Sequence, residues 1–347
     1  MHFASDNAGP VHPRVLEAIA KANDGYAGGY GNDRLSQSVV ETIRDIFEAP
    51  DAAVYLVPTG TAANALALAT ICAPWETIFC TKMSHINVDE CNSPEFYTGG
   101  AKLTLVPDVN AKMTPDALRA AIVGEETRGV HGPQRGPVSI TQVTETGTVH
   151  SLDEIRALTA VAREFGLPVH LDGARFANAL VSLGCTPAEM TWKAGVDAVS
   201  FGGTKNGCMG VEAVILFDPK KAWEFELRRK RGAHLFSKHR YLAAQMAGYL
   251  EGELWRDLAA RSNAAAARLA AGLVKAGLTP LYPVDANMIF FRAPRSVHAR
   301  LLSQGATYYT MEADAMTGDP EQILTGRLVT DWSRDDAGVD AFLALLT

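Results

Sequence analysis

The chain has 347 residues, of which 47% are hydrophobic and 20% charged, a composition typical of a globular protein long enough for two domains. Its net charge of -7 offers no broad basic surface, which excludes nucleic acid as an expected partner. Neither a signal-peptide pattern nor an apolar run of membrane-spanning length is present, so no membrane association is expected and the predicted location is cytoplasmic.

The strand and helix patterns alternate between residues 50 and 220. The strand-like runs are AVYLV, TIFC, KLTLV, PVSITQV, PVHLD, AVSF and VEAVILF, and the helical patterns between them include TAANALALATIC, TPDALRAAI and SLDEIRALTAVAREF. This alternation predicts an α/β domain with a mainly parallel sheet. Two helix starts are predicted from capping chemistry, one at Thr114 before Pro115 and one at Ser151 with Glu154 three residues later.

The pattern changes after about residue 250. A long alanine-rich helix that includes Ser262 to Gly277 is followed by the strand NMIFF, a helix near VHARLLSQ, the strand RLVTDW and a final helix. We therefore predict an N-terminal segment (residues 1–30), a large α/β domain (31–250) and a small C-terminal α+β domain (251–347). The first thirty residues, rich in Gly, Asn and Tyr, are expected to wander between the two domains.

The cysteines give no sign of a metal or disulfide framework. They are odd in number and scattered, without a C-x-x-C pair: Cys72, Cys80, Cys91, Cys185 and Cys208. Free, mostly buried thiols are the favoured interpretation. No cluster of metal-ligating residues is visible, so no metal is expected.

The first motif with chemical potential is VPTGTAAN, Val57–Asn64, in which a strand runs directly into a helix. Backbone N–H groups at a helix N-terminus, two hydroxyls and a glycine are the parts that a phosphate site requires. The alternative is an ordinary helix start capped by Thr59 or Thr61.

The second motif is VHLDGARFANA, Val169–Ala179, where a strand delivers Asp172 at its carboxyl end. Ligands of open α/β sheets bind at this edge, and a carboxylate there can keep a pyridine nitrogen protonated. The alternative is a structural ion pair between Asp172 and Arg175.

The third motif is AVSFGGTKNGCMG, Ala198–Gly210, which places Lys205 among glycines directly after an apolar strand. A lysine in such a position can form a Schiff base with an aldehyde if its surroundings lower its pKa. The alternative is a solvated loop lysine.

These motifs in this order resemble the aspartate-aminotransferase-like (fold type I) enzymes that use pyridoxal 5'-phosphate (PLP), and among them the low-specificity L-threonine aldolases of the β-eliminating lyase group. The segments that carry the resemblance are FASDNAG, PTGTAAN, SHINVDE, HLDGAR, FGGTKNG and GRLVTDW, which span nearly the whole chain. The resemblance implies that Gly60 and Thr61, with Thr59 beside them, hold the cofactor phosphate. It also implies that Asp172 meets the pyridine nitrogen and that Lys205 forms the Schiff base.

The resemblance also implies the substrate contacts. Ser5, Arg175 and Arg327 would bind the substrate carboxylate, with Arg175 close to the cofactor as well, and a guanidinium fork suits that task. His85 would stack on the cofactor ring and lie near the substrate hydroxyl, where an imidazole can accept a proton.

The chain departs from the family pattern at two places. The second active-site histidine of many relatives has no clear match in TQVTETGTV, and His150 is not assigned to that role. The segment GAHLFSKHR replaces a glycine-rich one, which leaves Lys238 and Arg240 as alternatives for a contact to the phosphate across a subunit interface. A homo-oligomer is expected from the resemblance, with dimer and tetramer both open.

The predicted function is cleavage of L-threonine, L-allo-threonine or a related β-hydroxy-α-amino acid such as phenylserine into glycine and an aldehyde. The alternatives are a PLP-dependent β-eliminating lyase or aminotransferase, and a PLP-fold binding or regulatory protein without turnover. A site for another phosphate ligand is disfavoured, because neither G-x-G-x-x-G nor the P-loop pattern occurs.

Overall fold

The structure is a computed structural model that describes residues 1–346. Over these residues the strands are β1 Ala53–Val57, β2 Glu76–Thr81, β3 Lys102–Val106, β4 Asp108–Val109, β5 Lys112–Met113, β6 Gln134–Thr141, β7 Val169–Gly173, β8 Ala198–Gly202, β9 Glu212–Leu216, β10 Met288–Pro294, β11 Tyr309–Thr310 and β12 Ile323–Val329. The helices are α1 Pro13–Ala22, α2 Arg34–Ile46, α3 Gly60–Ile71, α4 His85–Val88, α5 Ser93–Thr98, α6 Pro115–Gly124, α7 Leu152–Glu164, α8 Phe176–Leu183, α9 Pro187–Met190, α10 Ala222–Arg231, α11 Arg240–Leu250, α12 Leu254–Lys275, α13 Arg295–Ser303 and α14 Asp336–Ala344. Within the described residues no helix has the length and apolar character that a membrane span requires.

The large sheet has the strand order β1-β9-β8-β7-β6-β2-β3. From β8 to β3 all neighbours are parallel, whereas β9 is antiparallel to both β8 and β1. The loop between β8 and β9, residues 203–211, is shorter than the crossover that a parallel neighbour needs, so β9 runs back along β8. Strands β1, β2, β6, β7 and β8 consequently end at the same edge, and the predicted mainly parallel α/β sheet is confirmed.

The sheet is buried on both faces where the candidate motifs lie. Every residue of β7, β8 and β9 is buried, as expected for strands covered by helices on both sides. Helix α3 is buried from Ala62 to Thr70 on all its faces, and its small alanines allow close packing against the sheet. This packing holds the N-terminus of α3 at the edge where the parallel strands end.

Both helix starts predicted from capping chemistry are confirmed. The Thr114 hydroxyl accepts a hydrogen bond from the Ala117 N–H at 3.2 Å. Ser151 and Glu154 form a reciprocal capping box at the start of α7. Local capping chemistry was therefore sufficient to place these two boundaries.

A smaller antiparallel sheet, β10-β12-β11, forms the C-terminal α+β part of the chain. Its apolar core includes Leu269 of α12, Phe291, Leu328 and Phe342 of α14. The α+β character predicted for this part is thereby confirmed, while the domain boundaries at residues 30 and 250 stay predictions.

The N-terminal segment connects the two sheets but is more ordered than expected. Phe3 is fully buried in the core of the small sheet, and its backbone bonds to Thr307 and Val329, at 2.7 and 2.8 Å. The His12 N–H donates to the Gly207 carbonyl at 2.9 Å, next to the Lys205 loop. Within this segment Pro13–Ala22 forms α1, and the course of residues 1–30 as a separate segment stays a prediction.

Candidate active site

A cavity of about 380 Å³ opens at the edge where β1, β7 and β8 end. Six of the nine residues predicted for the site line it, whereas Ser5, Arg175 and Arg327 do not. The six are Thr59, Gly60, Thr61, His85, Asp172 and Lys205. Segments far apart in sequence are thus brought together around one space.

The N-terminus of α3 forms one wall of the cavity. Thr59 caps the helix, because its hydroxyl accepts a hydrogen bond from the Ala62 N–H at 3.2 Å. A Cβ built on Gly60 would meet no atom within 4 Å, so the missing side chain leaves open space in front of the helix end. The capping alternative is confirmed for Thr59, and it leaves the space at Gly60 available for an anion.

Asp172 lies at the end of β7 and is 3% exposed. Its Oδ1 accepts from the Ala174 N–H at 3.0 Å, and its Oδ2 accepts from Asn64 Nδ2 at 2.8 Å. The alternative ion pair between Asp172 and Arg175 is wrong, since Arg175 pairs with Asp6. The carboxylate is therefore oriented by neutral donors, which leaves its charge available to a ligand.

Lys205 lies in a short helical turn between β8 and β9 and is half-buried in the cavity wall. The alternative interpretation, a solvated loop lysine, is therefore wrong. Its neighbour Asn206 anchors the turn by donating to the Tyr249 hydroxyl and the Trp255 carbonyl, both at 2.8 Å. Gly207 closes the turn at φ +108°, a conformation that favours glycine. The turn thus fixes the backbone from which the lysine reaches the cavity.

Glu212, at the start of β9, lines the same cavity and is buried. Its Oε2 accepts from the Gly203 N–H at 2.8 Å. Burial raises the pKa of this carboxyl to about 7, against the opposing effect of the nearby Lys205 ammonium. Glu212 was not predicted as a site residue, because an isolated Glu at a strand start has no recognisable pattern.

His85 begins α4 and is hydrogen bonded through Nδ1 to Glu90 Oε1 at 2.7 Å. Glu90 also accepts from Asn64 Nδ2 at 2.8 Å, and the same Nδ2 reaches Asp172. The hydrogen bond that His85 Nδ1 donates to Glu90 raises the pKa of His85, with Asp172 acting in the same direction. Asn64 and Glu90 lie inside motifs singled out from the sequence, but their side-chain contacts were not predicted.

The predicted carboxylate-binding residues gather around the N-terminal segment, outside the first cavity. Arg175 pairs with Asp6 through Nε and Nη2, at 2.6 and 3.0 Å, and Arg327 Nη1 donates to the Ala4 carbonyl at 3.3 Å. Burial and the neighbouring Arg175 charge lower the pKa of Arg327. The Ser5 hydroxyl accepts from the Asn7 N–H at 3.1 Å and so caps a turn here.

A second cavity of about 580 Å³ is lined by Arg327 together with Asp89 and Glu145. Glu145 lies in the loop after β6 and acts electrostatically on His85, Arg175 and Arg327. It stands in the segment TQVTETGTV, for which no active-site residue was predicted. A negative group is therefore close to the two arginines and to the imidazole.

Three further candidates lie away from the cavities. His150 is buried with its Nε2 unpartnered among the described residues, and burial lowers its pKa to about 4, in keeping with its exclusion from the site. Arg240 Nη1 is held by the Asp24 and Gly25 carbonyls at 3.4 and 3.0 Å, whereas Lys238 is exposed. The contact of either residue with a phosphate stays a prediction.

The fold and the site together define the class of the protein. A family model described as beta-eliminating lyase matches residues 2–295, and the chain belongs to this family. The resemblance detected from the motifs is thereby confirmed.

Individual proteins of this family and of this fold are similar to the chain. The chain is 40% identical to a low specificity L-threonine aldolase of a Pseudomonas species, over 89% of this chain and 88% of that relative, and equally similar to the one of Pseudomonas aeruginosa. The structure is similar to that of Leishmania major threonine aldolase, with a TM-score of 0.92, 28% identity and 99% and 98% of the two chains covered. Serine palmitoyltransferase of Sphingomonas wittichii shares the fold, with a TM-score of 0.74 at 16% identity over 100% and 86% of the chains.

Proposed function

We propose that the chain is a PLP-dependent aldolase that cleaves L-threonine, L-allo-threonine or related β-hydroxy-α-amino acids such as phenylserine into glycine and an aldehyde. The observation that carries the proposal is the convergence of the Lys205 amine, the Asp172 carboxylate and the open N-terminus of α3 on one cavity. The similarity to enzymes named low specificity L-threonine aldolase supports this class of substrate.

The residues around the cavity fit the cofactor. The space in front of Gly60 suits a phosphate, Asp172 suits a protonated pyridine nitrogen, and Lys205 is the amine that would hold the aldehyde. When bound, PLP supplies an electron-accepting ring that takes up the electron pair of the broken Cα–Cβ bond. The buried Asp172 would stabilise the positive charge on that ring.

The substrate would be bound and deprotonated by groups at the rim of the cavity. Arg327 and Nη1 of Arg175 are suited to the α-carboxylate, since both carry positive charge, the first on a half-buried and the second on a buried side chain. His85, with Nδ1 occupied by Glu90, offers Nε2 to the proton of the β-hydroxyl. Removal of that proton converts the hydroxyl into the carbonyl of the departing aldehyde.

We also propose that the active form is a homo-oligomer acting on a small amino-acid substrate. In the described residues that line the cavity, Lys205 is the only lysine or arginine, so the phosphate end lacks a dedicated counter-charge. Lys238 of a second copy is better suited to supply it than Arg240, whose guanidinium is already bound to backbone carbonyls. The cytoplasmic location stays a prediction.

The proposal is tested with the purified protein, wild type beside Lys205→Ala, by its absorption spectrum and by product analysis. A visible-range cofactor band that depends on Lys205, with glycine and aldehyde released from L-threonine and L-phenylserine, is the expected result. Lys193→Ala removes a surface lysine outside the cavity and should keep the band. Ammonia with a keto acid would instead identify an elimination, and the absence of any band in the wild type would refute the cofactor assignment.

A further inference from the structure

The buried carboxylate of Glu90 joins two parts of the candidate site. Its side chain is fully buried, and its Oε1 lies 2.7 Å from His85 Nδ1 and 2.8 Å from Asn64 Nδ2. The same Asn64 Nδ2 lies 2.8 Å from Asp172 Oδ2. An uninterrupted chain of hydrogen bonds therefore runs from the imidazole to the carboxylate assigned to the pyridine nitrogen.

A purely structural role accounts poorly for this arrangement. A carboxylate buried for stability is normally paired with Arg or Lys and has both oxygens hydrogen bonded. Among the described residues Glu90 pairs only with His85, and both its Oε2 and the Asn64 Oδ1 are buried without a partner. Leaving such groups unsatisfied costs stability, which indicates that the contacts are retained for another reason.

The contact determines which nitrogen of His85 is available. An imidazole whose Nδ1 is hydrogen bonded to a carboxylate carries its proton there, so Nε2 keeps a lone pair and the ring plane is fixed. The carboxylate also stabilises the imidazolium that forms when Nε2 takes up a second proton. His85 lines the cavity with Lys205, so the fixed ring is next to the position of the reacting groups.

We propose that Glu90 is a positioning residue, which holds His85 with Nε2 directed to the β-hydroxyl of the substrate, and that Asn64 ties this pair to Asp172. The inference rests on the proposed function. In the step concerned, the hydroxyl proton would move to Nε2 as the Cα–Cβ bond breaks, and the O–H electron pair would become the second bond of the aldehyde carbonyl. The bound cofactor would supply the acceptor for the electron pair of the broken bond. Glu90 keeps the Nδ1 proton in place and balances the charge on the ring.

The pH dependence provides the sharpest test. Glu90, Asp172 and Glu145 raise the pKa of His85, while burial of the ring lowers it, and burial raises the pKa of Glu90. Glu90→Gln keeps the size of the side chain but removes the carboxylate, so the pKa of His85 falls. The acid limb of the kcat/KM profile should therefore move to lower pH, while kcat decreases by about a hundredfold, the lower end of the contribution of a general base.

A measurement without turnover separates this inference from the proposed function. The reaction of His85 with diethylpyrocarbonate, which requires unprotonated imidazole, is followed against pH by peptide mass spectrometry in the protein with and without cofactor. The midpoint should fall in Glu90→Gln and stay unchanged in Glu189→Gln, which removes a carboxylate from the cap of α9. If the wild type released no glycine, the proposed function would be wrong. The midpoint would still show whether Glu90 raises the pKa of His85.

Unaltered midpoint and pH profile in Glu90→Gln would overturn the proposal, as would a loss of activity confined to KM. Circular dichroism and the unfolding midpoint establish that the variant is folded. If it does not fold, Glu90→Asp is measured in its place, because its shorter side chain withdraws the carboxylate from Nδ1. This variant should lower both the His85 midpoint and kcat, and an unchanged midpoint would count equally against the proposal.

Discussion

Arg175 and Asp6 form a bidentate ion pair whose side chains are only 3% and 1% exposed. The pair joins the N-terminal segment to the loop that follows β7, the strand whose penultimate residue is Asp172. Asn287 adds a hydrogen bond to Asp6 Oδ2 at 3.1 Å. Because Nε and one N–H of Nη2 bind Asp6, the N–H groups of Arg175 that remain for a substrate carboxylate are the two on Nη1 and the second one on Nη2.

Asp6→Asn should destabilise the protein by about 3–5 kcal/mol, because it leaves the Arg175 charge buried without its counter-ion. The measurement is the free energy of unfolding in urea. Glu48→Gln, which removes the exposed partner of Lys193, is the matched control and should change that free energy by less than about 1 kcal/mol. Equal effects of the two substitutions would contradict the structural role given to the buried pair.

Gly60→Val should weaken cofactor binding without destabilising the cofactor-free protein. A Cβ at this position meets no atom within 4 Å, and Gly60 lines the cavity, so we expect the added side chain to occupy space assigned to the phosphate. The dissociation constant for PLP, measured by titration of the cofactor-free protein, should rise at least about tenfold, which corresponds to about 1.4 kcal/mol. Gly124→Val at the end of α6, where the Cβ is also unobstructed, should leave it unchanged.

Glu145→Gln should lower KM for L-threonine by about threefold to tenfold, since one partly screened charge contributes about 1 kcal/mol. The carboxylate of Glu145 acts on Arg175 and Arg327, and so opposes the binding of another carboxylate beside them. The measurement is kcat and KM for L-threonine from steady-state kinetics of the holoenzyme. Glu312→Gln serves as control in the second cavity, because Thr325 already occupies that carboxylate. A fall in kcat at constant KM would show instead that Glu145 acts on the reacting atoms.

Glu212→Gln should stabilise the cofactor-free protein above pH 7 and have little effect on stability near pH 4. Burial raises the pKa of Glu212 from 4.5 to about 7, so the folded state retains a proton that the unfolded state releases. Stability is therefore lost as pH rises between these values, by about 3 kcal/mol for the wild type, since each unit of pKa difference corresponds to about 1.4 kcal/mol. Urea unfolding of both proteins at several pH values checks this, and a pH-independent difference would contradict the assignment.

The parts of the site that the sequence revealed are those determined by neighbouring residues. The turn before α3, the strand end at Asp172 and the glycine-flanked Lys205 each follow from a local pattern of strand, turn and helix. The edge at which they meet follows from the parallel arrangement of the strands. Their assembly in one cavity was therefore predictable from the order of the motifs.

The contacts between distant segments could not be predicted in this way. Two examples are the contact of Asp6 with Arg175 and that of Asn64 with Asp172. Both depend on how helices and loops pack, and local sequence patterns do not show which distant side chains will meet. The antiparallel direction of β9 could not be predicted for a related reason. A continuous apolar strand has the same residue pattern whether it is parallel or antiparallel to its neighbours. Glu145 was missed because the loop after β6 carries no recognisable motif.

The burial of Phe3 affects the order in which parts of the protein can fold during synthesis. Its backbone partners, Thr307 and Val329, are synthesised more than three hundred residues after it, so the ribosome must extend almost the entire chain before these bonds can form. Until then the segment that carries Asp6 lacks its hydrogen bonds to the small sheet, although its other partners, Arg175 and Gly207, have already been synthesised. Assembly of the rim with Arg175 and Arg327 is accordingly a late event in biosynthesis, completed only after β12 has emerged.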